Sequence, residues 1–168
     1  MNSTPGVSRR IILMRHAKSA WPEVSDWDRP LAERGRLDAP RVARRFAELG
    51  WAPDHAACSS ALRTRETLDL IIGALEANPA VAIHDGFYQG GVRDIRGAMA
   101  GLGDDVRTAL FLGHNPGWEM AVQWFTGKSI RMTTANAALL EGVAVPWKAA
   151  AAVAQSWRLA DVIRPKDL

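Results

Sequence analysis

The chain has 168 residues, 48% hydrophobic and 23% charged, which are the proportions of an ordinary globular protein with room for one sizeable core. Its 21 basic and 18 acidic residues give a formal charge of +3, too mixed for a nucleic-acid groove or a polybasic membrane anchor, so any cationic function must be local. The lone cysteine, Cys58, excludes an internal disulfide, and neither paired cysteines nor an HxxxH-type cluster is present for zinc.

These counts lead to the expectation of a cytoplasmic protein with no metal and no cofactor. The first ten residues carry two arginines but no long apolar run, because Ile11 to Met14 is followed at once by Arg15 and His16. No signal peptide or membrane span is therefore expected. Residues 1–9 are read as a flexible N-terminal segment and residues 10–168 as one domain.

Ile11-Ile12-Leu13-Met14 is a short continuous apolar run bounded by charge, the pattern of a strand buried on both faces. It delivers Arg15 and His16 at its carboxyl end. Residues 17 to 30, with two prolines, two tryptophans and several acidic residues, read as an irregular surface loop. From Leu31 to Leu49, Val42, Phe46 and Leu49 recur at helical spacing and Gly50 is placed to end the helix. Pro40 falls inside and predicts a kink or two helical pieces.

His55 to Cys58 reads as a second strand, with Ser59 or Ser60 capping a helix from about Ala61 to Leu75. Val81 to Ile83 is a third apolar segment, Ile95 to Leu102 a short helix, and Thr108 to Leu112 a strong buried strand ended by Gly113-His114-Asn115-Pro116. A helix is expected from Pro116 to Phe125. Ala137 to Val145 and Trp157 to Ile163 resemble late strands flanking the alanine-rich 147 to 155. The alternation predicts an α/β domain with a mainly parallel sheet.

In open α/β sheets ligands bind beyond the carboxyl ends of the strands. Three proposed strands end in Arg15-His16, in Ser59 to Arg63, and in His114. Two arginines and two histidines suit one small dianion, since guanidinium groups bind phosphoryl oxygens bidentately and imidazoles can donate hydrogen bonds or attack. Phosphoryl transfer is the inference, because fixed cationic donors stabilise its transition state without a metal.

Leu13-Met14-Arg15-His16-Ala17-Lys18-Ser19, Ser59-Ser60-Ala61-Leu62-Arg63-Thr64-Arg65-Glu66-Thr67 and Gly113-His114-Asn115-Pro116-Gly117 resemble the three ordered motifs of the histidine phosphatase superfamily. The short chain, the Asp28-Arg29-Pro30-Leu31 segment and the GHNPG form are most similar to SixA-type phosphohistidine phosphatases. The resemblance implies a phosphoglycerate mutase-like three-layer α/β/α sandwich. It also implies that His16 attacks phosphorus while Arg15, Arg63 and His114 hold the phosphoryl oxygens, after which water releases inorganic phosphate. Asn115, Ser19 and Arg29 are further candidates for phosphate or substrate contact.

The larger members of this superfamily use a glutamate as proton donor a few residues before an aromatic. The nearest counterpart is Asp85, three residues ahead of Tyr88. SixA-type enzymes resemble one another in lacking a firm acid, which suits phosphohistidine, because an imidazole leaves more readily than an alkoxide. Ala17 replaces the usual glycine and requires a backbone conformation that alanine accepts.

The expected partner is thus a phosphohistidine-containing protein of a signalling or phosphorelay system, or else a small phosphorylated molecule. The rival readings are a phosphatase of small esters, such as sugar phosphates or nucleotides, and a phosphate-binding module without turnover. Gly127-Lys128-Ser129 is not a P-loop, since Val122 stands where that motif needs glycine. Cys58 reads as a small buried residue, and most of the seven tryptophans as packing, with Trp21 and Trp27 in the loop after His16 as the exceptions.

Overall fold

The computed structural model describes residues 8–168. Of the segment expected to be flexible, residues 1–7 lie outside the described residues, whereas Arg9 already belongs to the first strand.

The strands are β1 (Arg9–Arg15), β2 (His55–Ser59), β3 (Ala80–His84), β4 (Thr108–Gly113), β5 (Ala137–Gly142) and β6 (Arg158–Ile163). The helices are α1 (Glu33–Glu48), α2 (Leu62–Leu75), α3 (Val92–Ala100), α4 (Gly117–Thr126) and the single-turn α5 (Trp147–Ala150). They build one six-stranded sheet in the order β3-β2-β4-β1-β5-β6. The four strands β3, β2, β4 and β1 run parallel, β5 runs antiparallel to β1, and β6, antiparallel to β5, returns to the direction of the first four.

β1 sits between β4 and β5, so its side chains are covered on both faces, as its unbroken apolar run requires. Ile11 and Leu13 point into a cluster with Ile95, Met99, Trp118, Val122 and Phe125 from α3 and α4. Ile12 and Met14 point the other way, onto Val42, Phe46, Leu68 and Ile71 of α1 and α2. The result is the expected helix–sheet–helix sandwich. Trp118, Trp147 and Trp157 pack inside it, each indole N–H donating to a backbone carbonyl, which removes the cost of burying that polar edge.

Three local expectations are corrected. First, α1 runs as one assigned helix of 16 residues through Pro40. Proline removes only the bond to the carbonyl of the exposed Arg36, and Ala39, Val42, Ala43 and Phe46 hold the remaining turns by their burial. Second, neither Ser59 nor Ser60 caps α2. Its N-cap is Ala61, and Thr64 Oγ1 instead donates to the carbonyls of Ser59 and Ala61. Third, the loop of residues 17–30 is not wholly superficial: Ala17, Ser19 and Arg29 are buried, and a 3-10 turn spans Asp26–Asp28.

Candidate active site

Because β1, β2 and β4 are parallel and adjacent, their carboxyl ends open on the same side of the sheet. β1 delivers Arg15 and then His16. The turn leaving β2 delivers Arg63 in the first turn of α2, and the residue after β4 is His114. The antiparallel β5 begins at this same end, since Met14 pairs with Ala137, so the segment before it also reaches the site. These groups line a cavity of ≈ 260 Å³ together with Lys18, Ser19, Trp21, Arg29, Asn115 and Thr134.

The His16 and His114 rings stand 5.2 Å apart, centroid to centroid. His16 Nδ1 lies 2.8 Å from the carbonyl oxygen of Ala17. A carbonyl can only accept, so Nδ1 carries the proton and Nε2 keeps the free lone pair. Burial pushes the His16 imidazole down to about 3, with the neighbouring His114, Arg63 and Arg15 adding to the effect, so the ring is neutral at pH 7. His114 is lowered to about 4, chiefly by burial and then by Arg63. Its Nε2 is 2.8 Å from Ser59 Oγ, and its Nδ1 is 3.5 Å from an Arg63 terminal nitrogen.

Arg63 is held from the loop after β1. Its two terminal nitrogens donate to the Asp26 carbonyl at 2.7 Å and to Asp26 Oδ2 at 3.2 Å. The Asp26 carboxylate also accepts from Tyr88 Oη and, at 2.9 Å, from Arg29. The Tyr88 hydroxyl, then the guanidinium groups of Arg29 and Arg63, hold Asp26 well below the usual carboxylate range, so it is ionised throughout the working pH range. Arg15 donates to the Met132 carbonyl at 3.1 Å through one terminal nitrogen. The Nε atoms of both Arg15 and Arg63 are buried without a partner.

Residues 11–89 match the family model described as the histidine phosphatase superfamily, branch 1. An uncharacterized chloroplastic protein of Arabidopsis thaliana is 37% identical over 95% of this chain and 79% of its own length. Two solved structures, described as candidate phosphohistidine phosphatases SixA, share the fold along nearly their whole length. The one from Nakamurella multipartitia has a TM-score of 0.82 and 28% identity, covering 96% of this chain and 98% of the other. That from Agrobacterium tumefaciens has a TM-score of 0.78 and 27% identity, covering 97% and 100%.

The chain belongs to the histidine phosphatase superfamily. Its mainly parallel sheet with helices on both faces is the phosphoglycerate mutase-like fold expected of that superfamily and of its SixA-type members.

Of the residues singled out in the sequence, Arg15, His16, Ser19, Arg29, Arg63, His114 and Asn115 meet at this one cavity. Arg63 rather than Arg65 faces it: Arg65 is exposed and donates to the Ser60 carbonyl. Arg29 is a buried clamp, bonded to Ser19 Oγ, Asp26 and the Ala20 carbonyl beneath the Trp21 ring. Ala17 is buried with an ordinary negative φ, so its methyl is accommodated.

Asp85 is not brought to the cavity. It is exposed and borders a separate depression with His84, Arg93 and Asp94, because the 3-10 turn Asp85–Phe87 spends its inward position on Phe87. The acidic side chains that reach residues of the site are Asp26, bonded to Arg29 and Arg63, and Glu119, which accepts from Asn115 at 3.0 Å; the sequence reading passed over both. Thr134 and Thr67 were missed too. Thr67 Oγ1 accepts from the Ala17 amide at 3.1 Å and donates to the Arg63 carbonyl at 2.6 Å, coupling the two motifs. Its one-turn spacing from Arg63 was the available signal. Cys58 is buried beside the second motif, and burial pushes its thiol up to about 12, so it stays protonated.

No helix among the described residues is long and apolar enough to cross a membrane, and no cluster of three or more His, Cys, Asp or Glu is placed to hold a metal ion.

Proposed function

We propose that this chain is a metal-independent phosphatase that removes the phosphoryl group from phosphohistidine in a partner protein through a phosphohistidine intermediate on His16. The observation that carries the reading is the neutral His16 ring, with its Nε2 lone pair free, in a cavity walled by the guanidinium groups of Arg15, Arg29 and Arg63 and by a second imidazole.

A phosphoryl group entering beside Arg15 and Arg63 meets donors that are already fixed, including two buried Nε–H groups without acceptors. Nε2 of His16 then forms an N–P bond as the bond between phosphorus and the substrate imidazole breaks. The ring becomes a phosphoimidazolium whose Nδ1–H is held by the Ala17 carbonyl. The charge developing on the equatorial oxygens is met by the guanidinium groups, which supply the neutralisation that a metal supplies in other phosphoryl transfers. The dianion also reverses the local field at His114 and draws a proton onto it, making it a further donor. Water next attacks phosphorus, the N–P bond breaks, inorganic phosphate leaves, and neutral His16 is restored.

The acid–base setting favours phosphohistidine over an ordinary ester. The carboxylate bonded to Arg63, Asp26, is ionised and bound by two arginines and a tyrosine, so it has no proton to donate to an alkoxide. An imidazole leaving group needs none of comparable strength.

Brief reaction with a labelled phosphohistidine protein, followed by rapid quench, is expected to leave acid-labile, base-stable label on His16. His16→Ala is expected to abolish both label and turnover, and chelator to leave turnover unchanged. An enzyme that turns over without label would overturn the mechanism. Stronger turnover of sugar phosphates or nucleotides would assign the protein to small esters, and binding without hydrolysis would make it a phosphate receptor.

A further inference from the structure

Trp21 is the most exposed large apolar side chain among the described residues, at 77%, and it lines the same cavity as His16. A singly exposed valine or leucine is ordinary on a protein surface, but a tryptophan left in water at the rim of such a cavity is not. Its position is fixed from beneath. Arg29 Cζ stands 3.3 Å from the ring centroid, and that guanidinium is itself held by Ser19 Oγ, by Asp26 Oδ1 at 2.9 Å and by the Ala20 carbonyl at 3.0 Å. One face of the ring is therefore taken by a clamped cation, and the other is open to solvent.

The loop that carries the ring is closed at its base. Ser19 and Leu31 form an antiparallel bridge, the Ala20 amide donates to the Pro30 carbonyl at 2.9 Å, and the Ala32 amide donates to the Lys18 carbonyl at 2.8 Å. Residues 21–24 form the tip, where the Val24 amide donates to the Pro22 carbonyl at 2.8 Å and the Val24 side chain is 50% exposed. Trp21, Pro22 and Val24 thus present three apolar side chains to solvent on a base that is already ordered, so a partner binding them has little loop entropy to overcome.

The size of the cavity dictates that its occupant meets this tip. At ≈ 260 Å³ it falls below the roughly 300–1,000 Å³ of a pocket that encloses a drug-sized ligand, so a larger molecule whose phosphoryl group reaches His16 must extend past the rim. Arg29 under the ring and Lys18 on the same cavity wall oppose a cationic group there, and the exposed Glu23 opposes an anionic one. An apolar side chain meets neither objection.

We propose that Trp21, together with Val24, is a specificity platform that takes an apolar side chain of the polypeptide bearing the phosphoryl group. The inference rests on the phosphatase reading above. Such a contact is made alike before and during phosphoryl transfer, so it acts on KM for the protein substrate rather than on kcat.

The test compares kcat/KM for a phosphohistidine protein with kcat/KM for phosphoramidate, which carries no polypeptide. Trp21→Ala is expected to lower this ratio about tenfold, through KM for the protein, as loss of a tryptophan anchor commonly does. Val24 lines no part of the cavity, and Val24→Asp should lower the ratio about threefold or more while leaving phosphoramidate turnover unchanged, because a carboxylate would lose its hydration in an apolar contact. Equal losses on both substrates in Trp21→Ala would mean that the ring serves only to hold Arg29, and would overturn the platform. Ratios within about twofold of wild type in both variants would overturn it too. Either result, in an enzyme that labels His16, leaves the phosphatase reading intact, whereas absence of label in a turning-over wild type would remove both.

Discussion

Arg63 uses both terminal nitrogens on Asp26 and offers its Nε edge and its approach to His114 to the cavity, so its position depends on a residue 37 positions earlier in the chain. Replacing it with alanine is expected to lower kcat by ~10²-fold or more, as loss of a fixed donor to a developing oxyanion commonly does. Arg63→Lys should recover only part of this, because an ammonium cannot grip the carbonyl and carboxylate of Asp26 and a phosphoryl oxygen in one plane. Near-normal kinetics for Arg63→Ala would mean that another guanidinium does the work. The tautomer of His16 leads to a second expectation at this scale. With the nucleophile titrating at about 3, no acid limb between pH 5 and 8 belongs to it, and any limb in the kcat/KM profile in that range must track the substrate phosphate. Repeating the profile with substrates of different phosphate pKa checks this.

The loop after β1 and the first turn of α1 meet through backbone rather than through side chains. A Cβ built on Gly35 would strike the carbonyl of Lys18, and the Ala32 amide donates to that same carbonyl at 2.8 Å. Gly35→Ala is therefore expected to push α1 away from the loop that carries Lys18 and Ser19. The expected cost is about 1–3 kcal/mol of stability, read by urea unfolding, together with a loss in kcat/KM. Gly113 shows the same tolerance limit on the other face, where a Cβ would enter the Trp118 ring. Asp26 illustrates how an element can be misread. Residues 17–30 carry loop composition, yet the segment brings the carboxylate that binds Arg29 and Arg63, and Leu31 is tied to α2 by its amide donating to Glu66 Oε2 at 2.6 Å. Such side-chain clamps have no period, so hydrophobic patterning cannot reveal them.

At the scale of the whole molecule, the site is built against stability in acid. His16 and His114 titrate at the ordinary histidine value of 6.5 when unfolded and at about 3 and about 4 when folded. As pH falls below 6.5 the unfolded chain takes up protons that the folded one refuses. Each histidine then removes up to about 1.4 kcal/mol of stability per pH unit, until its own folded value is reached. The stability they allow is complete above pH 6.5 and is lost on the way down to about pH 4 for His114 and about pH 3 for His16. Urea midpoints are expected to drop steeply across that window, and His16→Asn to make the drop shallower. An unchanged slope in the variant would mean that His16 is not held neutral by burial. The core should tolerate little loss at β1: Leu13→Ala, fully buried at the centre of the sheet, is expected to cost about 2–5 kcal/mol in the same assay.

Local chemistry made much of this protein readable before any coordinates. The apolar run Ile11–Met14 ending in Arg15-His16, the run Thr108–Leu112 ending in His114, and Arg63 after a short strand announce buried parallel strands with functional groups at their carboxyl ends, because period and punctuation are properties of neighbouring residues. Continuity of α1 across Pro40, the absence of a serine cap on α2 and the outward place of Asp85 were decided by packing, which can override local preference by a few kcal/mol. The gathering of Asp26, Tyr88 and Arg63 beside His114 exists only once segments dozens of residues apart are brought together. Distances between such segments are set by the closure of the sheet and its helices, a quantity that no stretch of sequence contains by itself.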